Sequence, residues 1–408
     1  MSEAPEPRRP PSWLRPRLRF SFRTLLLVYI LGSLLVGYYV YRAKVETRAA
    51  EAIAAAEGQI VYDWQVRSPS SDPAVRIDPP GPNWLHAYLG PHWFGRIAEV
   101  RLNESGYPGK KNDFATIGPH LARLPGLRSL SVWGGELDLK DCDLLYRLTR
   151  LEKLELLPES VLEPSHTAAI ARMKWLKSVK LKDVRTSLAA IRELAAISRL
   201  QELNLHCDEL DSQAEREAFA MGDELAHAIA DFPSLNKLLL FGFDITDSGV
   251  EVLCRHTQLE MLVVSSPVVT SKSFQSVAKL QRLKHLGVWG WKINDADLAD
   301  LEQLTSLTSL QFVTDVSDEI VPHLAQLQDL ESLTLRGEQV TDKCVPQLRK
   351  LKKITWLDLS DTGINKYSDA TKLLQRSLPS CRILLPRTPA EERSHQQFIN
   401  SKSNFNGS

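Results

Sequence analysis

Residues 235–264 read LNKLLLFGFDITDSGVEVLCRHTQLEMLVV. The stretch opens on LNKLLL and closes on LEMLVV, two copies of one LxxLxL pattern that begin 24 residues apart. In an extended strand, the two aliphatic positions separated by one residue point to one side and the residue between them to the other. Between the copies, ITDSGVEVL offers a helix start. Thr246 suits the N-cap, Asp247 favours the helix dipole in the first turn, and the apolar residues that follow share one face. A unit of one short strand and one helical return cannot bury its own apolar face. It needs neighbours stacked on both sides.

The pattern runs in both directions from this stretch. Copies occur as IAEVRL at 97, LRSLSV at 127, LEKLEL at 151, LKSVKL at 176 and LQELNL at 200, and continue as LKHLGV at 283, LTSLQF at 307, LESLTL at 330 and ITWLDL at 354, with a degenerate CRILLP at 381. From 127 onward the spacings are 24, 25, 24, 35, 24, 24, 24, 23, 24 and 27. A sustained period in this range with this motif specifies an α/β fold, a leucine-rich repeat solenoid (horseshoe) of about a dozen repeats. The 63 leucines among 408 residues follow from it. Helix starts recur at INDADLADL and VTDKCVPQL, with Asn294 and Thr341 as N-caps. The long spacing holds an insertion, residues 206–222, read as a lengthened convex segment whose helix runs to Ile229. Positions that carry a regular Asn in many leucine-rich families hold Gly135, Glu159, Val184 and Asp208, so no asparagine ladder is expected.

Upstream, the composition changes. Residues 1–48 carry nine Lys/Arg and three Glu, a balance of +6, which the −6 of the remainder cancels. The zero sum excludes a wholly basic nucleic-acid coat, and no nucleic-acid partner is expected. Thr24 to Tyr41, TLLLVYILGSLLVGYYVY, is uncharged. As a helix it spans about 27 Å, close to the roughly 30 Å of a bilayer's hydrocarbon. Six Arg precede it, and Arg42, Lys44 and Arg48 follow, which orients the N-terminus to the cytoplasm. A cleaved signal peptide is the competing reading, but no small-residue cleavage pattern separates the run from Arg42 and Lys44. Residues 1–23 read as a disordered basic cytoplasmic tail, 24–41 as a transmembrane signal anchor and 42–58 as a juxtamembrane helix stopped by Gly58. Residues 59–104 read as an N-terminal cap with the first strand, 105–385 as the solenoid and 386–408 as a disordered tail. In the cap, Trp84, Leu85, Leu89, Trp93 and Phe94 are too apolar for a linker, and His86 and His92 are read as structural, not as a metal pair.

The repeat register predicts the concave face. Copies at 235, 259 and 283 lie side by side, so Leu239, Phe241, Met261, Val263, His285 and Trp289 form one apolar, aromatic patch, a candidate surface for a protein or peptide. The alternative is that Phe241 and Trp289 fold over the strand ends and pack under loops. Lys153, Lys180 and Lys182 read as a solvated face. Cys142, Cys254, Cys344 and Cys381 read as small core hydrophobes, and Cys207, in the insertion, as the most exposed thiol.

No GxSxG, HExxH, P-loop, GxGxxG or EF-hand pattern occurs, so neither catalytic, cofactor nor metal residues are assigned. The VTDxxL-type repeats, the FSFRTLLLVY start, QIVYDWQ and PPGPNWLHAYLGPHWFGRIAEVRL resemble the bacterial membrane-anchored leucine-rich repeat proteins with one N-terminal transmembrane helix. The resemblance covers nearly the whole chain. It implies a single-pass cell-membrane protein with an extracytoplasmic, non-catalytic scaffold whose concave face mediates protein–protein interaction. Two other readings stay open: an envelope spacer without a specific ligand, and an unrecognised hydrolase.

Overall fold

A computed structural model describes residues 22–66, 80, 82–102, 114–133, 139–157, 164–182, 188–207, 221–294 and 298–387. The tails, the loop at 68–83 and most of the insertion fall, wholly or in part, outside the described residues. Thirteen strands form one sheet in strict sequence order. They are β1 Gln59–Tyr62, β2 Ile97–Leu102, β3 Ser129–Trp133, β4 Lys153–Leu157, β5 Ser178–Lys182, β6 Glu202–His206, β7 Lys237–Phe241, β8 Met261–Ser265, β9 His285–Trp289, β10 Ser309–Ser317, β11 Ser332–Gln339, β12 Trp356–Thr362 and β13 Arg382–Leu384. β1 runs antiparallel to β2; the other neighbours are parallel. Every LxxLxL copy, including the degenerate one at 381, supplies a strand. The structure is therefore a leucine-rich repeat solenoid.

The register joins like with like. Leu238, Leu262, Leu286, Leu310, Leu333 and Leu357 are consecutive partners across β7 to β12, and all are buried. Because the leucines of successive copies stack directly, the core is continuous along the solenoid and each copy is stabilised by the next. The convex returns shorten between β8 and β12 and lengthen again before β13, where Asp369–Ser377 makes nine residues of helix. Asp247–Leu253 makes seven residues of α-helix, whereas Val321–Leu324 and Val345–Leu348 make four each, with Pro at their starts. The residues after Asn294, where a helix start was expected, lie outside the described residues; the described part of that return is a 3-10 turn, Ala299–Gln303.

Thr246 and Thr341 cap their turns as predicted, accepting from Ser248 N and Lys343 N. Asp247 and Asp342 stand in the first turn, as expected of dipole partners, and aspartates near the starts of the returns have a second role. Asp223 accepts from Thr246 N (2.8 Å) and Oγ1 (2.6 Å) in the next repeat. Asp247 does the same for Thr270 and also takes Ser273 Oγ, and Asp318 accepts from Thr341. In place of an asparagine ladder, aspartate–threonine bonds tie the returns that begin at 223, 247 and 318 to the ones that follow them. Burial by itself raises the Asp247 carboxyl, but the bonds from Ser273 and Thr270 outweigh it and hold the group below its ordinary value.

The N-terminal end of the core is closed by α1, Phe22–Ala55. Its first eighteen residues are bare, and its last turns pack: Arg42, Ala43, Glu46, Ala49 and Ile53 are buried, with Ala49 and Ile53 in the hydrophobic core. The helix stops in a Schellman motif, Gly58 N to Ile53 O (2.8 Å) and Glu57 N to Ala54 O (2.9 Å). Gly58 was read as the residue that stops the helix by its backbone freedom. Instead Glu57 takes the left-handed position, at φ 56°. Gly58 follows it because a Cβ there would fall 2.7 Å from Ile53 Cγ2 and 2.9 Å from Leu102 Cδ2. After β1 come a single turn, α2 (Asp63–Val66), the short helix α3 (Asn83–Leu89) and a 3-10 turn, Pro91–Trp93. His92 Nδ1 lies 2.9 Å from Tyr62 Oη, and the His86 ring sits 4.4 Å from that of Phe94. Both histidines thus pack within the cap.

Candidate functional site: the concave face of β7 to β9

In β7 and β8 residues alternate between buried and half-buried, and β9 follows the same pattern except that its middle residue, Gly287, is also buried. The register places the concave residues in three rows. Lys237, Met261 and His285 form the first; Leu239, Val263 and Gly287 the second; Phe241, Ser265 and Trp289 the third. All six residues predicted for the patch, Leu239, Phe241, Met261, Val263, His285 and Trp289, lie on these three adjacent strands and are partly exposed.

The third row carries the aromatic geometry. Phe241 and Trp289 stand two strands apart, yet their rings meet edge to face over the small Ser265, with centroids 5.3 Å apart at 75°. On the other side His206 of β6 meets Phe241 at 5.4 Å and 87°. Such pairs are favoured by the ring quadrupole, so the three rings hold one another in place on the surface. Phe241 and Trp289 are both half-buried, each packed against the other's ring.

Gly287 makes this arrangement possible. A Cβ there would fall 2.8 Å from Val263 Cγ1 and 3.3 Å from Trp289 Nε1. The missing side chain leaves a notch into which Val263 and the indole lean. Glycine inside a strand commonly marks such a close approach, and that signal was available in the sequence. Trp289 Nε1 is shielded and has no hydrogen-bond acceptor among the described residues. Burial, with Lys237 and Lys284 nearby, holds the His285 imidazole below its ordinary value, so it is neutral at pH 7.

Lys237 stands in the first row of the patch, and most of the charged pairs lie to one side of it, on or before β3 to β5. Lys180 pairs with Glu155 at 2.6 Å, and Glu155 also accepts from Ser131 Oγ. Glu152 bridges Arg128 and Lys177, and Glu260 pairs with Lys284. Half-exposed pairs of this kind contribute little stability, but they neutralise Lys180 within the basic cluster read from sequence. Cys207 is buried, a correction to its expected exposure: its N–H bonds to Phe241 O (2.9 Å), which continues β6 and turns the thiol inward. Cys381 is the more exposed thiol.

Three surface clefts lie elsewhere. One is bordered by Asp315, Ser317, Glu319 and Glu338, one by Arg123, Arg147 and Arg150, and one by Asp63, Arg96 and Arg128. Among the described residues, none of the three is lined by His or Cys.

No family model matches the chain, and no curated protein matches it. Among solved structures, an internalin of Listeria monocytogenes is similar at 19% identity, with a TM-score of 0.40, over 72% of this chain and 87% of that one. A leucine-rich repeat protein of Leptospira interrogans is similar at 15% identity, with a TM-score of 0.37, over 70% of this chain and 89% of that one. At these scores neither likeness bears on ligand or activity.

Proposed function

We propose that the concave face of β7 to β9 binds a protein or peptide, and that the solenoid is a non-catalytic scaffold held at the cell membrane by α1 with its repeats outside the cytoplasm. The observation that carries the binding reading is the coincidence, in matched register, of half-exposed Leu239, Phe241, Met261, Val263 and Trp289 beside the Gly287 notch. Three strands at about 4.8 Å spacing make the patch only about 10 Å wide. That is far below the roughly 800 Å² per partner of a standard interface. It fits the central hot spot of a larger contact, in which a few aromatic and aliphatic anchors dominate. An apolar side chain seated against Phe241 and Trp289 is the ligand chemistry this surface selects.

The membrane reading is supported by α1, the one described helix long and apolar enough to cross a bilayer, and by the excess of Arg before it. The test of binding is pull-down of the intact, detergent-solubilised protein against the Phe241→Ala, Trp289→Ala double variant. Partners lost from a variant with unchanged circular dichroism and melting support the reading. An unchanged partner set from the folded variant removes it and leaves the spacer role. Orientation is tested by reporter fusions after Lys44 and at the C-terminus; a cytoplasmic signal from both overturns it.

A further inference from the structure

We propose that α3 is a second membrane contact, with its Trp84–Tyr88 edge seated in the headgroup–acyl boundary of the phospholipid bilayer that α1 crosses. The proposal rests on the membrane reading of α1. Trp84 and Tyr88, one helical turn apart, are 67% and 87% exposed, and Leu89 beside them is 38% exposed. The other side of this short helix is held: the ring of His86 meets Phe94 at 4.4 Å, and its Nε2 lies 3.3 Å from Pro80 O. The bare aromatic edge therefore belongs to a fixed element.

A chain of contacts sets its level along α1. The Tyr39 ring, in the last turn of the apolar run, lies 5.0 Å from the Arg42 guanidinium. Arg42 Nη2 donates to Trp93 O at 3.0 Å. Trp93 ends the 3-10 turn that Gly90, at φ 77°, joins to α3. Arg42 is the first charge after the uncharged stretch, so the residues bonded to it stand where the hydrocarbon ends. Tyr38, Tyr39 and Tyr41 occupy the same level on α1, at 50%, 41% and 67% exposure. Trp and Tyr combine an apolar ring with one polar tip and concentrate at that depth. Two helices thus present one aromatic belt, interrupted only by the Arg42 bridge. Exposure of this kind is an ill-suited water-facing surface and a well-suited interfacial one. Contact at two points would fix the tilt of the solenoid, and with it the direction in which the concave face opens.

The test uses the full chain in nanodiscs of phosphatidylcholine and phosphatidylglycerol. The photo-crosslinker p-benzoylphenylalanine replaces Trp84, Tyr88, Tyr29 or Tyr367, one at a time, and adducts are identified by mass spectrometry. Tyr29 reports on the anchor; Tyr367, 66% exposed near the C-terminal end, reports on random lipid contact. The expected result is phospholipid adducts at 29, 84 and 88 and loss of them at 367. Adducts at 29 with 84 and 88 as blank as 367 overturn the α3 contact and leave the anchor standing. No adduct at 29 removes the anchor reading and the proposal with it. Cross-links from 84 or 88 to a second copy or to another protein, without lipid, overturn the proposal in favour of a protein contact.

Discussion

Replacing Glu46 with glutamine tests how the cap closes the solenoid. Glu46 is fully buried in the last turns of α1; its Oε2 accepts from Ile97 N of β2 at 3.0 Å, and its Oε1 has no partner among the described residues. Burial pushes the carboxyl up from 4.5 to about 7, against the Ile97 hydrogen bond and the charges of Arg42 and Arg96, with Asp63 adding to the rise. The folded state therefore favours the protonated form. Its contribution is fully present below the ordinary pKa of 4.5 and is lost as pH rises through about 7. At 1.36 kcal/mol per pKa unit, the full loss is about 3 kcal/mol. Glutamine keeps an oxygen acceptor for Ile97 N and never ionises. Glu46→Gln should therefore stabilise the cap by up to about 3 kcal/mol at pH 8 and change little at pH 4.5. Solenoids open locally from their ends. The assay is thus amide hydrogen exchange of peptides covering 42–57 and 97–102, comparing variant with wild type at each pH so that intrinsic exchange rates cancel. Protection should rise in the variant at pH 8 and not in peptides from β7 to β9. A variant effect of equal size at pH 4.5 and pH 8 would refute the reasoning.

Other consequences are equally specific. Glu57→Gly relieves a left-handed non-glycine residue and should stabilise the end of α1 by up to about 1 kcal/mol, whereas Gly58→Ala, lacking space beside Ile53, should destabilise by about 1–3 kcal/mol in chemical denaturation. Asp247→Ala removes the acceptor of Thr270 N, Thr270 Oγ1 and Ser273 Oγ and should destabilise the central repeats by about 2–3 kcal/mol, seen as faster exchange of 247–277. Gly287→Val drives side-chain atoms into Val263 and the Trp289 indole; it should abolish partner capture while far-ultraviolet circular dichroism keeps its strand signal. Leu262→Ala opens a cavity in the stacked leucine row and should cost about 2–5 kcal/mol, measured as a lower denaturation midpoint.

What the sequence made legible was whatever the repeat imposes. The spacing fixed each strand, and because identical copies stack without offset, it also fixed which concave residues adjoin. Leu239 beside Val263 and Phe241 in one row with Trp289 followed from counting alone. The closure of the Phe241 and Trp289 rings over Ser265 did not, since it depends on side-chain rotation and on the room left by Gly287. The role of Asp247 was legible only in part for a related reason. Within its own copy it is a first-turn residue favouring the helix dipole; only the neighbouring copy shows that its oxygens also reach Thr270. A periodic sequence reports what each copy does, and bonds between copies are visible in it only as residues that recur without an intracopy need.

The cap shows the opposite limit, because nothing there repeats. Arg42 and Glu46 are four residues apart on an Ala-rich helix, the spacing of a solvent-facing ion pair. In such a place both charges would be ordinary. The difference comes from residues about fifty positions away: Ile97 and Trp93, whose backbone groups bond to Glu46 Oε2 and Arg42 Nη2. Covering an ionisable pair with the solenoid's open end is costly, and an aliphatic seal of the kind provided by Ala49 and Ile53 on the same helix would avoid the cost. The pair stands instead at the one level where the apolar run gives way to charge, with its arginine bonded to the turn that carries α3. Its polar bonds fix the angle between α1 and the solenoid more narrowly than apolar contacts would, since hydrogen bonds are directional and burial is not. On the proposed membrane reading, that directional constraint is a physical argument for keeping two ionisable residues in the seal.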